Sequence, residues 1–147
     1  MATPLSSIVV CPKCGSKNRI NMALAEQKQP VCGKCGAKLA AHPIEVTDAN
    51  LEAVLEAAGD KPVLVDAWAE WCPPCRALAP TIDQLAAESN GRWVIGKLDT
   101  MQNPKVTAQY DTSRIPTMLI FKNGKLVDQL LGEQPKPVIE AALNKQI

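Results

Sequence analysis

The segment Val65-Asp66-Ala67-Trp68-Ala69-Glu70-Trp71-Cys72-Pro73-Pro74-Cys75-Arg76 runs an apolar strand directly into a Cys-x-x-Cys pair at the start of a helix. Two cysteines so spaced in a first helical turn can close a small disulfide and open it again. The partial positive charge of a helix N-terminus favours a thiolate on the first sulfur, Cys72. Such a pair serves chemistry rather than packing.

Working outward, residues 63–67 are nearly all apolar, as expected of a central strand buried on both faces. A helix from about Cys72 carries Leu78, Ile82, Leu85 and Ala86 on one face. Pro80 should kink it, and Gly91 lies beyond its end. Upstream, residues 44–46 offer a short strand. Asp48 can cap a helix with the apolar face Leu51, Val54, Leu55 and Ala58, stopped by Gly59. Downstream, residues 93–98 read as a strand, and Asn103-Pro104 as the cap and first turn of a short helix with Val106 and Tyr110. Strands at 117–121 and 125–131 flank Asn123-Gly124, the preferred two-residue hairpin turn. A last helix near 137–144 should bury Val138, Ile139, Ala142 and Leu143. The order βαβαβαββα predicts an α/β domain, with a mixed central sheet covered by helices on both faces.

Four further cysteines stand before this domain. Cys11-Pro12-Lys13-Cys14 and Cys32-Gly33-Lys34-Cys35 are separated by 17 residues, the spacing of a four-cysteine zinc ribbon. Gly15, Gly33 and Gly36 permit the tight turns that aim two sulfurs at one ion. Four thiolates close a tetrahedral shell, which describes one structural zinc rather than a catalytic one. Residues 1–40 therefore predict a ribbon and 41–147 the main domain, joined by a connector at 38–43. His42, in that connector, reads as solvated rather than as a fifth ligand.

Composition narrows the function classes. The formal net charge is +1, but residues 1–40 carry six Lys/Arg against Glu26, a formal +5, leaving −4 for 41–147. Four thiolates around Zn²⁺ would remove about two of those charges from the ribbon, and no aromatic side chains interleave its basic residues to stack on bases. Nucleic-acid binding is thus disfavoured. No apolar run reaches the roughly 18 residues of a membrane span. Residues 1–10 lack the basic start and apolar core of a signal peptide, so the chain is expected in the reducing cytoplasm. There Cys-x-x-Cys pairs read as metal or redox sites.

Residues 41–147 resemble thioredoxins throughout. The likeness rests on 65–72, then Gly96-Lys97-Leu98-Asp99, Asn103-Pro104, Ile115-Pro116-Thr117, Phe121-Lys122-Asn123-Gly124 and Gly132. With the paired cysteines in front, and Asn18-Arg19-Ile20 between the pairs, the chain resembles zinc-containing bacterial thioredoxins of the thioredoxin-2 type. The resemblance implies a thioredoxin fold and a disulfide reductase with no tightly bound organic cofactor. Its electrons would come from NADPH through a separate flavin-dependent thioredoxin reductase. It implies that Cys72 is an exposed nucleophile and Cys75 the buried thiol that resolves the mixed disulfide. It makes Asp66 a buried carboxylate assisting proton transfer at Cys75, Lys97 its charge partner, and Pro116 a cis-proline facing the pair. Ile115 would offer its backbone to an extended substrate, with Trp71, Pro73, Pro74 and Arg114 around it. Trp68, Trp93, Tyr110 and Phe121 read as packing residues. The partners implied are disulfide-containing proteins, and the chain is expected to be a monomer.

Four positions depart from the family pattern. Pro73 stands where glycine is usual, and Ser113 and Arg114 are exchanged in order. Glu133 replaces a usually small residue. Arg114 beside the substrate groove could favour acidic segments or lie flat on the surface. Two other classes compete with the reductase: a ribbon that docks protein, senses redox state or binds nucleic acid, and a metal carrier using Cys72 and Cys75 as ligands. Metal stoichiometry separates the carrier, since one zinc per chain supports the reductase and two would undermine it.

Overall fold

The computed structural model describes residues 6–11, 13–21, 31–37, 43–89, 91–112 and 114–147. Pro12, connector residues 38–42 with His42, and Ser113 lie outside the described residues. Strand β1 (Ser6–Val10) pairs antiparallel with β2 (Lys17–Asn21) in a sheet of its own. The expected helices and strands follow: β3 (Ile44–Glu45), α1 (Leu51–Ala58), β4 (Val63–Trp68), α2 (Pro73–Ala87) and β5 (Val94–Asp99). Then come α3 (Pro104–Gln109), β6 (Thr117–Lys122), β7 (Lys125–Leu131) and α4 (Lys136–Asn144).

The five strands β3 to β7 form one mixed sheet in the order β3-β5-β4-β6-β7. Parallel pairing joins β3 to β5 and β5 to β4, while β4 to β6 and β6 to β7 are antiparallel. Alternation along a strand sends successive side chains to opposite faces. Val63, Val65 and Ala67 accordingly pack with α1 residues Leu51, Val54 and Leu55, and with Leu119 and Phe121. Leu64 packs on the other face with Leu78, Ile82 and Leu85 of α2 and with Ile139 and Leu143 of α4. The mixed sheet with helices on both faces is the architecture that the thioredoxin resemblance implied.

The packing expectations for the aromatic residues hold with one nuance. Phe121 is fully buried, and partly buried Tyr110 meets its ring edge-on at 5.2 Å. Trp93 is buried, and its indole N–H donates to the Leu85 carbonyl at 2.9 Å. Trp68 is half-buried. Asn123 and Gly124 both take positive φ, 53° and 79°, as the two central residues of a type I′ hairpin turn do. Gly96 has a steric reason: a Cβ there would meet Val46 Cγ2 at 2.6 Å.

Three local expectations need correction. Asp48 does not cap α1, whose N-cap is Asn50. Its carboxylate reaches across the fold to α3, accepting from the Lys105 N–H at 3.1 Å and the Val106 N–H at 2.8 Å. Asn103 occupies the N-cap position of α3 but makes no side-chain cap bond there. Its amide instead accepts from the Asp48 N–H and donates to the Asp99 carbonyl, so the two residues have traded partners through space. Val138 is 44% exposed because the buried stripe of α4 runs through Ile139, Ala142 and Leu143.

A capping carboxylate supplied from 57 residues away joins two segments as well as satisfying a helix end. Asp48→Ala should therefore cost about 1–2 kcal/mol of stability, measured as a lower urea midpoint with an unchanged m-value.

Candidate functional site

Two groups of cysteines stand out, and they are built differently. Cys72 and Cys75 are bonded as a disulfide, with Cα atoms 5.3 Å apart. Cys72 is the N-cap of α2 in an extended conformation, and its Sγ accepts from the Cys75 N–H at 3.2 Å. Pro73 and Pro74 fill the first two helical positions. Neither has an N–H, so the sulfur keeps one backbone donor from this turn.

Both cysteines are buried, and Cys72 is only 2% exposed. The expected exposed nucleophile is thus covered when disulfide-bonded. Its sulfur sits in a small cluster with Ala69, Cys75, Trp68 and Ile115, and lies 3.7 Å from the Ile115 carbonyl oxygen. The Ile115–Pro116 peptide is cis. Around it, the Thr117 hydroxyl donates to the Arg114 carbonyl, and the Gly132 N–H donates to the Pro116 carbonyl at 2.8 Å. Trp71 is 64% exposed, and Pro73, Pro74 and Arg114 are exposed too. Arg114 lines a depression of about 440 Å³ with Asp111, Gln129 and Leu131.

Asp66 lies in β4 with the parity of Leu64, on the sheet face that α2 covers. It is 1% exposed, and neither carboxylate oxygen has a hydrogen-bond partner. Burial pushes its pKa up to about 7, against the opposing pull of the Lys97 charge. Lys97 is its register partner on β5 and sits with Nζ 5.2 Å from the Trp68 ring centroid. Asp66 is therefore buried, as the resemblance implied.

The four remaining cysteines converge. The sulfurs of Cys11, Cys14, Cys32 and Cys35 all lie within 4.8 Å of one another. Cys11 to Cys35 and Cys14 to Cys32 are each 3.6 Å. A zinc tetrahedron with Zn–S of about 2.3 Å has edges of about 3.8 Å, whereas disulfide sulfurs sit about 2.05 Å apart. The donor set fits a single metal ion. The turns that present it are near copies. Gly15 N–H donates to Cys11 and Gly36 N–H to Cys32, both at 2.9 Å, with both glycines near φ +78°. Cys32 and Cys35 sit in different hydrogen-bonding surroundings. The Cys35 and Lys34 N–H groups pull Cys32 down to about 6. For Cys35 the Ala37 N–H pulls downward, but burial and the neighbouring sulfurs prevail and push it up to about 12.

Asn18 also belongs to this cluster, with hydrogen bonds to Ser16, Cys32 and Gly33. Its place between the cysteine pairs marked it in the sequence, but nothing local indicated those contacts.

The thioredoxin family model matches residues 42–145. The thioredoxin of Alicyclobacillus acidocaldarius subsp. acidocaldarius is 45% identical over 98 residues, covering 67% of this chain and 91% of the relative. Thioredoxin 2 of Chlorobaculum tepidum is 46% identical over 103 residues, covering 70% and 94%. The crystal structure of thioredoxin f from spinach chloroplast (short form) superimposes with a TM-score of 0.67 at 30% identity, covering 73% of this chain and 95% of that one. The family match begins at residue 42, so the four-cysteine cluster lies outside it.

The buried carboxyl has a consequence for stability. Between 3.8 and about 7 the folded chain holds a proton that the unfolded chain has released. Stability from Asp66 therefore falls as pH rises through that window and is recovered on acidification. Asp66→Asn should stabilise the fold at pH 8 by on the order of 4 kcal/mol. Urea melts at several pH values should show that gain shrinking as pH falls from 7 towards 4.

Proposed function

This chain belongs to the thioredoxin family and is a thiol–disulfide oxidoreductase, and from that premise we propose that it reduces protein disulfides through Cys72 and Cys75. The observation that carries the reading is the Cys72–Cys75 disulfide at a helix start, with the Cys72 sulfur against the Ile115 carbonyl. In the reduced chain the Cys72 thiolate attacks one sulfur of a substrate disulfide. A mixed disulfide forms, and the first substrate thiolate leaves. Cys75 then gives up its proton, with Asp66 in the role of acceptor, and attacks the Cys72 sulfur. The second substrate thiol is released, and the chain is left as the disulfide, two electrons poorer.

A carboxyl near 7 can hold or release a proton at neutral pH, which suits Asp66 to this step. Lys97 tunes it by charge. Ile115, beside cis-Pro116, presents backbone to an extended segment of substrate in strand-like fashion. Trp71, Pro73 and Pro74 form the exposed rim. Arg114, at the edge of the adjoining depression, offers a cation to acidic residues near the substrate cysteine. NADPH-derived electrons would return through a thioredoxin reductase, and the working compartment is the reducing cytoplasm. Among the described residues no helix is long and apolar enough to cross a membrane.

Residues 1–40 form, on this reading, a zinc ribbon preceding a thioredoxin domain at 41–147. Cys11, Cys14, Cys32 and Cys35 would hold one zinc ion, supported by sulfur spacings close to a tetrahedron's edge. All four positions are filled by protein, which leaves no open site for catalysis and makes the ion structural. The chain works as a monomer in this scheme.

Mixed-disulfide trapping tests the scheme. Cys75→Ser should accumulate a covalent complex with a disulfide substrate, whereas Cys72→Ser should form none and lose reductase activity. Full activity in Cys72→Ser would sink the assignment. In the same assay Arg114→Glu should slow reduction of disulfides flanked by Asp or Glu more than of those flanked by Lys. Equal slowing of both would remove Arg114 from substrate selection.

A further inference from the structure

Asn18 is where the two cysteine turns meet. Its Nδ2 donates to the Ser16 carbonyl of the first turn at 3.2 Å and to Cys32 Sγ of the second at 3.5 Å. Its Oδ1 accepts from the Gly33 N–H at 3.0 Å. The amide has no freedom to flip. A backbone N–H can only donate and a carbonyl only accept, so the oxygen must face Gly33 and the nitrogen Ser16. The remaining N–H then falls on the Cys32 sulfur.

The described backbone bonds close each turn upon itself. Cys11 N–H donates to the Ser16 carbonyl at 2.8 Å, and Cys32 N–H to the Ala37 carbonyl at 2.7 Å. Neither crosses between the turns. Cys32 also receives the Lys34 N–H at 3.4 Å from its own turn, so backbone and side-chain donors both face its sulfur. Among the described residues Asn18 is the side-chain amide that spans the site.

We propose that Asn18 is a positioning residue for the metal. It holds the two cysteine pairs at the separation one ion requires and donates to the Cys32 thiolate, so the ion is bound more tightly than four cysteines alone would bind it. Hydrogen bonds behind the ligands orient them before the ion arrives and offset the charge gathered on the sulfurs. The inference rests on reading the cysteine quartet as a metal site.

Cobalt(II) and zinc titrations of the full chain test it. Cobalt–thiolate charge-transfer absorption reports on the sulfurs, and a chromophoric chelator competes for zinc. The unmodified chain should take one ion. Asn18→Ala should bind zinc roughly 10–100-fold more weakly and shift the charge-transfer band. Asn18→Asp keeps an oxygen for the Gly33 N–H but loses the donor to Cys32, and should bind at least as weakly as Asn18→Ala. Unchanged affinity and band in Asn18→Ala would overturn the inference, and so would full affinity in Asn18→Asp. An unmodified chain that takes no metal would overturn the metal reading itself, which keeps the two failures apart.

Discussion

β4 must be buried on both faces, and the geometry of the redox site depends on that constraint. Val63, Val65 and Ala67 need α1 on one side, while Leu64 needs α2 and α4 on the other. Each fully buried Val or Leu contributes about 1.5–3 kcal/mol. Three such residues in β4 can therefore offset a buried carboxyl whose cost is on the order of 4 kcal/mol. Asp66 is tolerated because the strand around it is so apolar. The same strand ends against the turn that delivers Cys72 to the N-cap of α2, so the framework and the disulfide share one anchor.

Much of this was legible in the sequence. The uninterrupted apolar run at 63–67 placed β4 at the centre, and Asn123-Gly124 placed the β6–β7 turn. Periodicity found the buried faces of α1 and α2. What escaped was long-range. Asp48 has the chemistry of a cap and stands just before a helix, so a local reading assigns it there. Only the folded chain brings the N-terminus of α3 close enough to compete. Val138 failed for a different reason: a nine-residue helix sets the edge of its buried stripe by small rotations that spacing alone does not resolve. Proline chemistry left the Ile115–Pro116 bond undecided, and family likeness carried that expectation. Arg114 and Pro73 were visible as departures, yet their surroundings became describable only with neighbouring segments in place.

The two cysteine groups use sulfur in opposite ways. At Cys72 and Cys75 a single backbone N–H faces the sulfur, and two prolines withhold the others. In the quartet, backbone and side-chain donors gather around Cys32, and glycines open the turns. The first arrangement leaves a sulfur able to change partners, while the second confines it. On the zinc reading, the ion would supply about 10–16 kcal/mol to a small module that could not stand on apolar burial alone.

The three tryptophans occupy three electrical and solvent environments within one domain. Trp93 is sealed in the core and hydrogen-bonded to Leu85, with the Arg92 guanidinium 4.1 Å from its ring centroid. Trp68 is half-buried beside the disulfide cluster, under the ammonium of Lys97. Trp71 stands largely in solvent, immediately before Cys72. The chain therefore carries its own optical labels: one indole for the integrity of the core, one for the redox state of the sulfur pair, and one for whatever docks on the rim.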